Sequence, residues 1–329
     1  MYQEFFGLKE LPFELTANPK FLFFTASHRE ALCNLEYGLS ARRPMTVLVG
    51  EAGTGKTTLL RAALESDRCR GTKCIHLSNP TLTRDEFIEV LADQFGLGAE
   101  AAGSKTRLLS SLEAMLRAGR DRGEMMALVV DEAQSLSAEL LEEIRLLANI
   151  ETPTEKLLPL VLAGQPSLAA RLNEPGLRQL KQRVALRCQI APLDLRDTAA
   201  YIAHRIVAAG GTAAGLFTRE AVTMIHTHSA GIPRTINVMC DNTLLSAFAV
   251  GQRRVDRELV EEVARDFDLG RVEENWNEAP APSPAAASPQ APARLISDRP
   301  ATPVIAFDTG GTVVRRGSYE DSPINFRGR

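Results

Sequence analysis

The chain has 329 residues, which is enough for one large domain or two smaller ones with a buried core. Its formal net charge is -3, from 38 basic and 41 acidic residues, so composition gives no general bias towards nucleic acid or an anionic membrane. The five cysteines are dispersed and form no CxxC pair, which argues against a disulfide framework or a zinc site.

Five short apolar runs predict the strands of a folded core. Most of them are continuous rather than alternating, and helical patterns separate them, as is typical of a parallel sheet covered on both faces. We therefore predict an α/β fold. The predicted strands are Met45–Val49, Lys73–Leu77, Met125–Val130, Leu157–Ala163 and Ala185–Ile190.

The first predicted strand leads into Gly50–Thr57, whose letters GEAGTGKT match the phosphate-binding loop GxxxxGK[ST], and a predicted helix, Thr57–Ser66, follows. Glycines let the backbone N–H groups turn towards phosphate oxygens, and the helix N-terminus adds partial positive charge. Lys56 is predicted to reach the β- and γ-phosphates of ATP, and the Thr57 hydroxyl to bind Mg²⁺. The predicted nucleotide-binding residues are Gly50, Glu51, Ala52, Gly53, Thr54, Gly55, Lys56, Thr57 and Thr58.

The third predicted strand carries two acidic residues, Asp131 and Glu132, at its carboxyl end. Asp131 is predicted to complete the Mg²⁺ shell with Thr57, and Glu132 to polarise the water that attacks the γ-phosphate. The structural alternative is an acidic turn that caps the next helix. That helix is predicted over Ala138–Ile150, where apolar residues share one face. A small-molecule kinase would not need Glu132, so this residue favours hydrolysis.

Three further polar residues are candidates for the catalytic site. Gln165 follows the fourth predicted strand and could bridge the attacking water and the γ-phosphate, although a simple turn explains it equally well. Arg183, in a basic stretch before the last strand, is the candidate arginine finger; a solvated helix face is the alternative. Arg234 opens a predicted helix and could contact the γ-phosphate, or could be structural.

After about residue 190 the strand patterns stop and amphipathic helices follow, so a helical subdomain is expected after the core. Asp194, Thr218 and Asp256 are candidate N-caps. The predicted helices are Asp194–Ala209, Thr218–Thr227, Ile232–Ala249 and Asp256–Phe267.

The last part of the chain changes in composition. Glu278–Ala293 repeats Pro and Ala with almost no charge and predicts an extended linker. We expect the polar stretch Arg294–Arg329 to be a disordered tail, and its apolar segment Pro303–Phe307 leaves docking on a partner open.

These segments together resemble the AAA+ ATPases of the general secretion pathway protein A family and the related ATPases of exosortase-associated polysaccharide loci. The resemblance covers about residues 1–268. It is carried by the opening FFGLKELPFELTANPKFLFFTASHREALCNLEYGL and by GEAGTGKTTLLR, VVDEAQSLS, EEIRLLANIET, LAGQPSL, LRQLKQRV and GIPRTINVMCDNTLL.

The resemblance implies a parallel-sheet P-loop NTPase core of the AAA+ type with a C-terminal helical lid. Gln165 then matches sensor 1, Arg183 the finger region and Arg234 sensor 2, with ATP and Mg²⁺ as cofactors. The N-terminal aromatics would border the adenine pocket, or could equally be core packing: Phe6, Pro12, Phe13 and His28. The implied division is 1–44 for the N-terminal segment, 45–190 for the core, 191–270 for the lid and 271–329 for the linker and tail.

Function and partners follow the same resemblance. We expect an oligomeric ATPase that works with proteins of an envelope secretion, pilus or exopolysaccharide export system. Many secretion members continue into a transmembrane helix and a peptidoglycan-binding domain, whereas a Pro/Ala linker follows here, which puts cell-wall binding in doubt. No signal peptide or transmembrane segment is predicted, so a cytoplasmic location is expected, with recruitment to the inner membrane by a partner left open.

Two alternatives to this function stay open. A DNA-associated AAA+ ATPase of the transposition-regulator type would share the core motifs. However, acidic residues outnumber basic ones in 191–270, so nucleic acid is not expected as a strong partner. A non-hydrolysing nucleotide switch would not require a base such as Glu132.

Overall fold

The computed structural model of the protein describes residues 1–16, 19–78 and 81–267. The predicted linker and tail, including Pro303–Phe307, lie outside these residues. None of the helices in the described part of the chain combines the length and apolar character that a membrane crossing requires.

A five-stranded sheet forms the centre of the fold, and its strand order is β2-β3-β4-β1-β5. Every neighbouring pair is parallel. The predicted α/β fold with a parallel sheet is therefore confirmed. The strands are β1 Met45–Gly50, β2 Thr72–Leu77, β3 Met125–Val130, β4 Leu160–Gly164 and β5 Leu186–Ile190.

The strand boundaries agree with the prediction to within one residue, except at the start of β4. β4 begins at Leu160 rather than Leu157. The N–H of Leu157 instead donates to the carbonyl of Ile150 at 3.1 Å, next to an antiparallel bridge between Glu151 and Lys156. The apolar run thus includes the end of a turn, which hydrophobicity alone does not separate from the strand.

Helices connect the strands and cover the sheet. Several begin with a side-chain cap, and α4 has a full capping box in which Thr83 and Glu86 satisfy each other's backbone N–H groups. The helices up to β5 are α1 Gln3–Phe6, α2 Ala26–Ser40, α3 Lys56–Glu65, α4 Arg84–Phe95, α5 Ala99–Ala102, α6 Lys105–Asp121, α7 Ala138–Leu147, α8 Pro166–Arg171 and α9 Arg178–Lys181. Short 3₁₀ turns occupy Pro19–Phe21, Ala133–Ser135 and Pro175–Leu177.

Four helices follow the sheet, as the sequence predicts. The predicted caps are confirmed, since the side chains of Asp194, Thr218 and Asp256 each accept a backbone N–H of the first helical turn. The helices are α10 Leu195–Ala208, α11 Arg219–Ser229, α12 Pro233–Ala249 and α13 Arg257–Asp266.

The sheet is buried on both faces. Val47 and Val49 of β1 point into the hydrophobic core that α4, α6 and α7 cover, whereas Leu48 points into the core under α2 and α3. Because both faces are covered, the central strands read as continuous apolar runs.

A third hydrophobic core joins the two ends of the described chain. Tyr2, Leu8, Phe13 and Phe21 pack with apolar residues of α10–α13. The part of the N-terminal segment that precedes α2 therefore shares its core with the C-terminal helices rather than with the sheet, an arrangement that the sequence analysis did not predict.

Candidate nucleotide-binding site

The loop between β1 and α3 has the geometry of a phosphate cradle. Gly53 and Gly55 adopt φ angles of +83° and +98°, which side chains rarely tolerate. Lys56 opens α3, is 5% exposed, and its ammonium donates to the carbonyls of Gly50 at 2.9 Å and Glu51 at 3.0 Å. Burial lowers the pKa of Lys56, and the nearby carboxylate of Glu132 opposes that shift. The loop therefore holds a buried cation at a helix N-terminus, where an anion would bind.

The carboxyl end of β3 lies against this loop. Asp131 is 4% exposed, and its Oδ2 accepts the Thr57 hydroxyl at 2.6 Å. Its Oδ1 accepts the N–H of Glu132 at 2.9 Å, and Glu132 itself has a left-handed backbone with φ of 51°. This conformation is uncommon for a residue other than glycine and re-aims the chain directly after the strand, so that Glu132 lines the cavity above the loop.

Gln134 is a site residue that the sequence analysis missed. Its amide nitrogen donates to Glu132 Oε2 at 2.5 Å, and its amide oxygen accepts the N–H of Gln165 at 3.0 Å. A Cβ on Gly164 would lie 2.7 Å from that oxygen, so glycine leaves the room for this contact. The only sequence signal was a polar residue two positions after Glu132.

The start of α12 closes on the loop from the other side. The N–H of Arg234 donates to the Gly53 carbonyl at 3.2 Å. A Cβ on Gly53 would lie 2.7 Å from the Cβ of Arg234, so the two segments are in direct contact. The N-cap residue of α12 is Ile232, which has no polar side chain, so the helix N-terminus has no side-chain cap.

A cavity of about 400 Å³ lies over the loop. Its P-loop side is formed by residues 53–59 with Glu132 and Arg234. Its opposite lining, here called the apolar side, comes from the N-terminal segment, the connection between β5 and α10, and the C-terminal helices. It includes Leu15, Phe21, Leu22, Phe23 and Leu193. The shape suits a ligand with a charged end and a flat apolar end.

His28 connects the N-terminal segment to the loop. It lines the cavity, and its Nε2 lies 3.1 Å from the Thr54 carbonyl, to which a protonated Nε2 donates. Its Nδ1 lies 2.7 Å from the Thr25 hydroxyl. Burial lowers the pKa of His28, which favours the neutral ring.

The apolar side also carries a buried polar chain. Arg205 donates to the Tyr201 hydroxyl at 2.9 Å and to the Glu14 carbonyl at 3.1 Å, as well as to the Pro12 carbonyl. The Tyr201 hydroxyl in turn donates to Asn237 Oδ1 at 2.9 Å. Sequence reasoning missed these three residues.

Several predicted site residues lie elsewhere. The Gln165 side chain and Arg183 do not line this cavity, and Arg183 instead faces a separate recess with Arg145 and two glutamines. Among the N-terminal residues predicted at the pocket, only His28 lines it. Phe13 is 1% exposed and packs edge-on against Phe217, because a large aromatic ring gains most from complete burial.

The oxygen donors at this site would bind a divalent cation only if a ligand supplied further oxygens. Thr57 and Asp131 supply adjacent oxygens, which Mg²⁺ prefers. The described residues contain no group of three or more His, Cys, Asp or Glu that could hold a metal by themselves. Such a pair of oxygens matches a cation that is shared with phosphates and water.

Comparison with known proteins places this geometry in a family context. Residues 40–172 match the family model described as an AAA domain. The chain is 38% identical over 276 residues to general secretion pathway protein A of Aeromonas hydrophila, which is 84% of this chain. The match spans 50% of that relative's length.

Solved structures agree on the fold at low sequence identity. Cdc6p from Pyrobaculum aerophilum is similar with a TM-score of 0.58 and 20% identity, over 76% of this chain and 70% of that one. The structure of Drosophila ORC bound to DNA is similar with a TM-score of 0.56 and 18% identity, over 78% and 64% of the respective chains. The resemblance predicted from the sequence is thus confirmed: the chain contains an AAA domain, and 84% of it is similar to general secretion pathway protein A.

Proposed function

We propose that this chain binds Mg²⁺-ATP at the loop after β1 and hydrolyses it. The contact between Thr57 and Asp131, beside the buried ammonium of Lys56, is the observation that carries the proposal. In the bound state, Lys56 would exchange its two carbonyl partners for phosphate oxygens. The helix N-terminus and loop N–H groups would bind the same phosphates, and Thr57 and Asp131 would hold Mg²⁺.

Glu132 is the proposed general base. It lies at the cavity wall directly after the proposed Mg²⁺ ligand, where a water in line with the γ-phosphate would be within reach. Gln134 is the proposed positioning residue, since it ties the carboxylate of Glu132 to the backbone of Gln165. Gln165 then acts through its backbone N–H. The role of its side chain as sensor 1 remains a prediction.

Two arginines are proposed to stabilise the charge on the γ-phosphate. Arg234 approaches from α12 within the same chain, in contact with Gly53. Arg183 lines a separate recess and not the cavity of its own chain, which is compatible with a finger that acts on a neighbouring subunit. We therefore propose that turnover depends on assembly of a homo-oligomer.

For the pathway, we propose a role beside protein components of an envelope secretion or export system. The support is the 38% identity to general secretion pathway protein A, of which this chain spans 50%. The similarity to DNA-bound ORC is a likeness of fold at 18% identity, and it gives no comparable support to a DNA-linked function.

Two substitutions separate binding from hydrolysis. Lys56→Ala should reduce ATP affinity severely, because the phosphates lose their cationic contact. Glu132→Gln should keep ATP affinity within about twofold but lower turnover about 10²-fold or more, because water activation alone is removed. Nucleotide affinity and single-turnover hydrolysis are measured for both. Normal turnover in Glu132→Gln would falsify the assignment of the base.

A further inference from the structure

The apolar side of the cavity ends in a chain of hydrogen bonds that starts from an arginine, a residue that can only donate. Arg205 has donors only, so the Tyr201 oxygen must accept from it. The Tyr201 O–H is then directed to Asn237, whose amide oxygen accepts it at 2.9 Å. In this arrangement the amide oxygen of Asn237 faces the Tyr201 hydroxyl, and its NH₂ group points away from that hydroxyl.

The Asn237 amide nitrogen has no hydrogen-bond partner among the residues that the structure describes. Asn237 is only 6% exposed, and it lines the cavity. This nitrogen is not one of the fully enclosed polar atoms of the described residues that lack a partner, so it is open to the cavity, where the acceptor of a ligand can reach it. The cavity is the place from which such an acceptor would come.

The chain of residues behind Asn237 is held on several sides. The Arg205 guanidinium lies 4.7 Å from the Phe21 ring centroid and 5.7 Å from that of Tyr201, and it also binds two N-terminal carbonyls. It is 6% exposed. The Asn237 amide is therefore pre-oriented before any ligand arrives, which reduces the entropy lost on binding.

One face of α12 serves both ends of the cavity. Arg234, which contacts the P-loop, and Asn237 are three residues apart and so lie on the same side of the helix. A nucleotide whose phosphates bind at the P-loop would place its nucleoside towards the apolar lining and Asn237. The acceptors that a purine offers there are its ring nitrogens.

We propose that Asn237 is a specificity-determining residue whose NH₂ group donates to a ring nitrogen of the purine base. This inference rests on the proposed binding of ATP. Tyr201 and Arg205 act as positioning residues, since they orient the amide without touching the base.

The test uses Asn237→Asp in the full chain. Aspartate keeps an oxygen for the Tyr201 hydroxyl and replaces the NH₂ donor, so the fold is preserved while the proposed contact is lost. Asn242→Asp is the matched control, because it adds the same charge on α12 at a residue whose amide donates to the Val238 carbonyl instead. Calorimetry measures the affinities for Mg²⁺-ATP, its 1-deaza, 3-deaza and 7-deaza analogues, 2′-deoxy-ATP and inorganic tripolyphosphate.

We expect Asn237→Asp to weaken ATP binding about tenfold, as for the loss of one buried hydrogen bond. One of the deaza analogues should bind the unsubstituted protein more weakly than ATP does, by a similar factor. The same analogue should bind Asn237→Asp and the unsubstituted protein with equal affinity. Tripolyphosphate affinity should not change, and Asn242→Asp should behave like the unsubstituted protein.

Other results overturn the inference. Equal ATP affinity in Asn237→Asp excludes the contact, and a deficit confined to 2′-deoxy-ATP assigns the donor to the ribose. If Asn237→Asp weakens tripolyphosphate binding as much as ATP binding, the substitution does not act through the base. If every deaza analogue binds the unsubstituted protein as ATP does, base reading is excluded without any variant. Failure of the proposed function is distinguishable from failure of this inference. If ATP does not bind at the P-loop, Lys56→Ala and the unsubstituted protein should have equal affinity for ATP.

Discussion

At the scale of single residues, the site is held together by side chains that each make two hydrogen bonds. Asp131 accepts from Thr57 and from the N–H of Glu132, and Gln134 binds both Glu132 and the backbone of Gln165. Each of these side chains uses both ends of its polar group, which restricts its rotamer and aligns the neighbouring residue.

Gln134→Leu should lower the rate of ATP hydrolysis about tenfold and leave ATP affinity within about twofold. Leucine fills the space but cannot hold Glu132, so the base is less well aligned, while Lys56 is unaffected. Single-turnover hydrolysis and equilibrium binding give the two quantities. Gln94→Leu, at an exposed position of α4, is the control. Equal losses in affinity and rate would contradict a positioning role.

His28 predicts a dependence of stability on pH. Burial lowers its pKa below the ordinary value of 6.5, so the unfolded chain takes up a proton more readily than the folded chain. The free energy of unfolding should therefore fall as the pH drops below 6.5, and this contribution is fully present above that value.

Urea unfolding of His28→Gln across pH 5 to 8 checks this linkage. The variant should show a shallower loss of stability on the acid side, because its side chain does not titrate. His76→Gln is the matched control, since His76 lies exposed on β2. An unchanged slope in His28→Gln would exclude His28 as the source.

At the scale of elements, close backbone contacts fix how α12 meets the loop. Gly231 precedes α12, has φ of +71°, and a Cβ there would lie 2.0 Å from the Leu193 carbonyl oxygen. The N–H of Leu193 donates to the Gly231 carbonyl at 2.8 Å. The turn before α12 is thereby attached to the chain that leaves β5, and this attachment places Arg234.

Gly231→Ala and Gly251→Ala separate backbone conformation from contact. Both glycines have φ of +71°, but a Cβ on Gly251 meets nothing within 4 Å. Gly251→Ala should cost about 1 kcal/mol from the left-handed conformation alone. Gly231→Ala should lower the free energy of unfolding by a further ~1–3 kcal/mol, as expected for overpacking against backbone. Denaturant midpoints compare them, and equal costs would show that the Leu193 contact yields without penalty.

The features that were predicted correctly at this scale depend on short stretches of sequence. The P-loop pattern, the apolar strands and the caps Asp194, Thr218 and Asp256 each depend on neighbours within a few residues, and all were found. The start of β4 was placed wrongly, because a turn residue such as Leu157 is as apolar as a strand residue.

The missed residues depend on contacts that are distant in sequence. Arg205 meets the carbonyls of Pro12 and Glu14, which are 193 and 191 residues away. Asn237 acquires its orientation only through Tyr201. Patterns in a single sequence contain no signal for such pairs, whereas the cationic loop and the acidic strand end are recognisable one at a time.

At the scale of the whole molecule, the proposed mechanism requires two copies of the chain. Arg183 faces a recess with Arg145, Gln179 and Gln182, and it does not line the nucleotide cavity. Charge that accumulates on the γ-phosphate in the transition state would then be met on one side by Lys56 and Mg²⁺, and a second subunit would supply Arg183.

Specific activity should rise with protein concentration, and Arg183→Ala should bind ATP normally but hydrolyse it more slowly by about 10³-fold. Mixing Arg183→Ala with Glu132→Gln should restore part of the activity, because one type of interface pairs an intact arginine with an intact base. Turnover of the mixture is compared with that of each variant alone. No recovery, together with activity independent of concentration, would rule out action between subunits.

The core shared by the first residues and the C-terminal helices also decides where reporters can be attached. Tyr2 is buried with α10–α13, and Met1 beside it is 90% exposed. Cys33 lies on α2, which packs against the sheet, and among the cysteines of the described residues it alone is exposed. A fluorophore on the amino terminus and another on this thiol would thus stand on the two halves that enclose the cavity. Energy transfer between them would report whether the distance between these two halves changes when Mg²⁺-ATP is added, without any engineered cysteine.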